Sequence, residues 1–158
     1  MLKNKTNKIK FYINTIQEEE EVFNIIKKNI EFIKKHKIKI TWPQKYIRDE
    51  YNKKDMLKFK NKLEEHWQKE YADFFEKLQD LFSLKITKPF KIYISNYGSG
   101  GSYDLPDNVA INKNLKYDHI SIIKHEIVHL ILEPFIQKYK IPHNNKEELV
   151  DNILKLLK

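Results

Sequence analysis

Residues 119–132 read His-Ile-Ser-Ile-Ile-Lys-His-Glu-Ile-Val-His-Leu-Ile-Leu, with Asp118 in front as a ready helix cap. Ile120, Ile122, Ile123, Ile127, Val128, Leu130, Ile131 and Leu132 surround such a helix on nearly every side, which is the pattern of a helix buried in a core. Inside that apolar sleeve sit His125, Glu126 and His129. Burying three polar side chains costs stability unless something satisfies them. On a helix, His125 and His129 stand at i and i+4 on one face with the Glu126 carboxylate beside them. Two imidazoles one turn apart and an adjacent carboxylate make half of a zinc site and a candidate general base. The fold must bring the remaining ligand to that face.

The chain has no cysteine, so thiolate sites and disulfides are excluded and any metal must be held by histidine and carboxylate. Absence of cysteine is compatible with a reducing, cytoplasmic location. At 158 residues a single domain is expected, long enough for a core of its own, and 41% hydrophobic with 33% charged content is ordinary for a globular chain. No apolar run reaches membrane-spanning length, so no membrane partner is expected. The net charge of +8 raises nucleic-acid binding. Against it, Arg48 is the single arginine, and lysines are scattered through every segment instead of forming a patch. No nucleic-acid partner is expected.

Before the apolar helix, residues 8–13 alternate as a strand, and Thr15 with Glu18 forms a capping box for a helix running to about Lys35. Ile38–Trp42 reads as a second strand stopped by Pro43. Residues 1–50 therefore read as a small βαβ extension, and 51–158 as the remainder of one domain. Met56, Phe59, Leu63, Trp67, Tyr71, Phe74, Leu78 and Leu81 recur at steps of three and four, a long amphipathic helix over 55–82. Strands are expected at 90–95 and 108–112. The only glycines, Gly98, Gly100 and Gly101, lie in the loop between them, which points to a turn or a close backbone approach.

Several residues are candidates for the third ligand. A histidine-and-glycine extension of the metzincin kind is excluded by Leu132 and Phe135. Glu133 lies one turn too far along, and is read as ending the helix before Pro134. His143 stands in a proline-containing turn. The last helix, 145–157, carries Glu147 and Asp151 one turn apart at the edge of its apolar stripe. With Asn145 as cap, Glu148 at the third position completes a capping box, which leaves Glu147 for the metal. Glu148 remains the alternative, since a one-residue shift exchanges them.

His125-Glu126-x-x-His129 followed by Glu147-x-x-x-Asp151 resembles the ligand set of the gluzincin metallopeptidases, the thermolysin-like clan. The short chain, the segment Tyr97-Gly-Ser-Gly-Gly-Ser-Tyr-Asp104 and the ending Lys146 to Asp151 are similar to the minimal members called minigluzincins. The resemblance covers about residues 55–158. It implies an α+β, zincin-like fold: a small mixed sheet on a long backing helix, a buried active-site helix, and a C-terminal glutamate helix. It also implies Zn²⁺ held by His125, His129 and Glu147, Glu126 as general base, and Asp151 accepting a hydrogen bond from His125. One strand beside the glycine loop would hold an extended peptide, with Tyr97, Gly100, Gly101, Ser102 and Tyr103 along the cleft. The chain departs from larger members after Glu147, where only eleven residues follow. The subdomain that supplies an oxyanion-stabilising His or Tyr has no counterpart, and Tyr97, Tyr103, Tyr139 or His143 would have to substitute.

The expected activity is zinc-dependent endopeptidase hydrolysis of a peptide or protein substrate. The alternative expectation is a latent or degenerate zinc-binding domain acting as a regulatory or interaction module, self-inhibited by residues 1–50 over the cleft.

Overall fold

A computed structural model describes residues 8–158, the side chains of Tyr71 and Ala72 excepted. The alternation of Ile9 and Phe11, both buried, makes strand β1 (Ile9–Ile13). Thr15 then caps α1 (Ile16–Lys28) through the expected box: its N–H donates to Glu18 Oε2 at 2.6 Å, and its Oγ1 accepts from the Glu18 N–H at 3.3 Å. The helix expected to reach Lys35 breaks at Asn29 and resumes as α2 (Ile30–Lys35). Asn29 turns its side-chain Nδ2 onto the Ile25 carbonyl at 2.8 Å, and its backbone at φ −106° and ψ 14° leaves the helical region.

The strand expected over Ile38–Trp42 does not form. Only Thr41 pairs, in one antiparallel bridge to Gly98. Gly98 stands at φ +92°, a conformation through which no ladder continues, so pairing stops after one rung. A short α3 (Ile47–Glu50) leads to α4 (Lys53–Phe82), capped by the Asn52 side chain accepting from the Asp55 N–H at 3.0 Å. Met56, Leu63, Trp67, Phe74 and Leu78 of its stripe are buried; Tyr71 lies outside the described side chains.

Strands β2 (Phe90–Ser95), β3 (Gly101–Asp104) and β4 (Asn108–Asn112) follow, then α5 (His119–Tyr139) and α6 (His143–Leu156). The sheet order is β1-β2-β4-β3, with β1, β2 and β4 parallel and β3 antiparallel to β4 at the edge. The fold is thus mixed α+β. Residues 1–50 contribute β1 to this common sheet, in register from Ile9 opposite Phe90 to Ile13 opposite Ile94. One face of the sheet packs on α4 and α5, where Ile9, Ile92, Ile94, Val109 and Ile111 meet Met56, Trp67, Ile123 and Ile127. α1 lies over the other face, with Ile26 and Tyr97 in a smaller cluster.

Two helix ends differ from expectation. α5 runs through Pro134 to Tyr139 instead of stopping near Leu132. Proline removes one N–H from the ladder, and burial of Leu132 and Ile136 on either side holds the continuation. α6 starts at His143 after Pro142, so Asn145 is not the cap and no Asn145–Glu148 box forms. Pro142, fixed at φ −61°, is already shaped for that position. Among the described residues no helix is long and apolar enough to cross a membrane.

α1 is fastened to the sheet by Glu19, fully buried, whose Oε2 accepts from Ser95 Oγ at 2.9 Å and Oε1 from the Asn96 N–H at 3.0 Å. Burial pushes its carboxyl from 4.5 up to about 7, against the pull of those hydrogen bonds. The folded state therefore holds this proton more tightly than the unfolded chain. Its contribution is complete below pH about 4.5 and is lost as pH rises through about 7. Between those limits the wild type should lose up to roughly 3 kcal/mol more stability than Glu19→Gln, read from urea denaturation. Identical pH slopes for the two proteins would exclude this account of Glu19.

Candidate metal centre

Helix geometry sets the first two groups of the site. His125 and His129, one turn apart on α5, bring their Nε2 atoms to 3.0 Å from each other. α6 packs beside α5 and delivers Glu147, whose Oε2 is 3.1 Å from His125 Nε2 and 3.3 Å from His129 Nε2. Glu148 on the same helix is exposed to solvent and takes no part. These three are the one group of histidine and carboxylate side chains among the described residues whose donor atoms converge closely enough to hold a metal ion.

The electrostatics favour a cation at the centre of that triangle. Burial keeps His129 neutral, pushing it down to about 4. Burial acts to raise Glu147, but the adjacent imidazoles of His129 and His125 outweigh it and hold the carboxyl below its usual range. Two imidazole nitrogens and a carboxylate oxygen thus face one another, the atoms that would serve as metal ligands. Tetrahedral zinc with ligand bonds of about 2.0–2.1 Å separates its donor atoms by roughly 3.3 Å. The observed spacings of 3.0, 3.1 and 3.3 Å fit that ion, as does the donor set of two nitrogens and one oxygen.

Around the triangle, Asp151 Oδ1 approaches His125 Nδ1 to 3.6 Å, closer than any other carboxylate but longer than a hydrogen bond. His129 Nδ1 is buried without a hydrogen-bond partner among the described residues. His143, one turn before Glu147, places Nδ1 3.7 Å from Glu147 Oε1, and the ring of His36 beyond the end of α2 lies 6.0 Å from its own. His125 keeps a quarter of its side-chain surface, so solvent reaches the site.

Glu126 leaves α5 toward the edge strand and is 8% exposed. Burial first, and the negative charge of Glu147 second, push its carboxyl up to about 8, with Lys146 opposing. Strand β3 runs alongside. At Gly101 a Cβ would stand 2.7 Å from Glu126 Oε1 and 2.4 Å from Ile122 Cγ2, so the absence of a side chain makes room for the carboxylate. Gly101 and Tyr103 thus face the site, whereas Gly100 lies against Tyr117 and Ser102 points to the other face of the sheet; Gly101, Ser102 and Tyr103 are on a strand where a loop was expected. β3 carries no strand signal in the sequence because it is four residues long and opens on glycine and serine.

Tyr103 lays its ring flat over His129, with centroids 4.9 Å apart and planes at 12°. Its hydroxyl donates to Glu133 Oε2 at 2.7 Å and accepts from Lys146 Nζ at 2.8 Å. Burial and the bond to Glu133 raise its pKa. Glu133, weighed as a third ligand and read as the helix end, and Lys146, named only as the start of the 146–151 ending, are brought to the site by these two bonds. Tyr97 lies apart from the triangle: it is 4% exposed and its hydroxyl donates to Glu50 Oε2 at 2.6 Å. Tyr139 is exposed on the far end of α5, against Phe135.

No protein-family model matches the chain, and comparison with curated proteins and with solved structures likewise gives no match.

The two edge glycines should respond differently to alanine. A Cβ at Gly100 meets the ring of Tyr117 at 2.9 Å, and that ring, 45% exposed, is free to swing out. At Gly101 it meets the branched carbon of Ile122 and the buried Glu126. Gly101→Ala should cost about 1–3 kcal/mol in thermal unfolding, whereas Gly100→Ala should stay within about 0.5 kcal/mol. Equal losses would contradict the close packing of β3 on α5.

Proposed function

We propose that the chain is a zinc-dependent metallopeptidase of the gluzincin type. The observation that carries this reading is the convergence of His125 Nε2, His129 Nε2 and Glu147 Oε2 within 3.0–3.3 Å on two packed helices. The zincin-like arrangement finds support in the antiparallel edge strand lying along the helix that bears Glu126.

His125, His129 and Glu147 would hold the ion, which when bound supplies Lewis acidity and lowers the pKa of water toward neutrality. The free edge of β3 pairs with an extended peptide and lays its carbonyl over the α5 face. Glu126 Oε1 takes a proton from the attacking water and returns it to the leaving amine nitrogen as the C–N bond breaks. Burial beside Glu147 keeps this carboxyl near neutrality, where it serves in both directions. Tyr103, stacked on His129 and fixed by Glu133 and Lys146, holds the imidazole in place. An accessible site over a plugged one is supported by the exposure of His125 and Glu147, and by α2 ending at the rim, against His143.

Glu126→Gln keeps all three ligands and loses the base. Cleavage of a mixed peptide library should fall by roughly 10²–10⁴-fold while zinc content is unchanged. Undiminished cleavage by that variant would remove Glu126 from the role. A zinc-loaded wild type that cleaves no peptide would favour the non-catalytic alternative.

A further inference from the structure

The two faces of β3 are occupied differently. Gly101 and Tyr103 turn toward α5, the first against Glu126 and the second over His129. Ser102 turns the other way and, with its cross-strand partner Ala110, forms the floor of a cavity of about 420 Å³. Its walls come from α1, α2 and the segment after them, through Val22, Ile25, Ile26, Phe32, Ile33 and Ile40. No charged residue lines it, in a chain of which 33% are charged. Ile25 and Phe32 at its rim remain 60% and 50% exposed, large apolar surface that the fold leaves uncovered.

A run of side-chain contacts links the cavity wall to the candidate metal centre. Phe32, in its wall, packs on His36 with ring centroids 4.2 Å apart; His36 meets His143 at 6.0 Å, and His143 stands beside Glu147. β3 is the sheet edge; among the described residues no strand pairs its outer side, where the Gly101 carbonyl accepts from Ser99 Oγ at 2.9 Å. A strand added there alternates its side chains between the two faces with a period of two. A residue directed at α5 is therefore flanked by residues directed at the cavity.

We propose that this cavity is the pocket for a large apolar side chain, aliphatic or aromatic, of an extended peptide paired to the free edge of β3. The proposal rests on the peptidase reading and adds its substrate class: peptides with a bulky apolar residue next to the one that faces the metal centre. It also gives the N-terminal helices a task, since residues 22–40 build the pocket. The volume holds one Phe or Leu side chain with room to spare, and the uncharged lining penalises lysine or glutamate at that position.

The test uses full-length Glu126→Gln protein with zinc, so that peptides bind without turnover, and two capped octapeptides of Ser and Thr. One carries a single central Phe, and the other has Ser there. Affinity is read by fluorescence anisotropy and the bound position by amide NMR shifts. The Phe peptide should bind roughly 10- to 100-fold more tightly and move the Ser102 and Ala110 amides. Ala110→Phe, filling the floor, should abolish the difference. Ile25→Lys at the exposed rim, where folding is not at risk, should reduce it to less than about 3-fold. Equal affinities, no binding by either peptide, or shifts that spare Ser102 and Ala110 would overturn the pocket. The wild type separates the two claims. Phe-selective binding without cleavage upholds the pocket and overturns hydrolysis, whereas cleavage of both peptides at equal rates overturns the pocket and leaves hydrolysis standing.

Discussion

Two imidazoles of α5 and the carboxylate of α6 converge inside this protein to within 3.0–3.3 Å of one another. In water such groups would turn apart. Here they are held by a helix buried on nearly all sides, which fixes His125 and His129, and by a second helix anchored through Val150 and Ile153, which fixes Glu147. Burial disfavours the protonated form of His129. A divalent cation held by the three would offset the cost of burying polar groups in an apolar helix.

The sheet does its part through its edge. β3 is short, rich in small residues, and set so close to α5 that Gly101 has no space for a methyl group. That closeness brings a free strand edge to the side of Glu126 and divides the space around it in two. On one face lie Glu126 and the histidines; on the other lies the apolar cavity under α1 and α2. The N-terminal segment is part of this construction, because β1 extends the sheet and Glu19 ties α1 to the end of β2. Removing residues 1–50 would take a strand from the core, so such a truncation does not report on autoinhibition alone.

Much of this was legible in the residues. His125, Glu126 and His129 declare themselves because helical spacing is local, and a polar trio in an apolar run demands a reason. Glu147 was reachable through the period of the last helix, although the cap reasoning behind it failed: Pro142, not Asn145, starts α6. What could not be read depends on contacts distant in sequence. β3 has the composition of a loop and becomes a strand only because β4 pairs with it. Thr41 has the flanks of a strand, yet Gly98 allows it one rung. Lys146, Tyr103 and Glu133 are far apart in sequence, and meet only once β3 packs on α5 and α6 lies beside it. Asp151 falls between: its placement facing His125 was foreseen, but at 3.6 Å it does not make the expected hydrogen bond.

The claim on which the rest stands is that His125, His129 and Glu147 bind zinc as a unit. Competition of the purified chain against a chelator of known affinity measures this without reference to any substrate. The wild type and Glu148→Ala should each retain a single zinc ion with equal affinity, and Glu147→Ala should bind it roughly 100-fold or more weakly. A wild type that holds no zinc, or a Glu147→Ala protein that holds it as tightly as Glu148→Ala, would contradict the account.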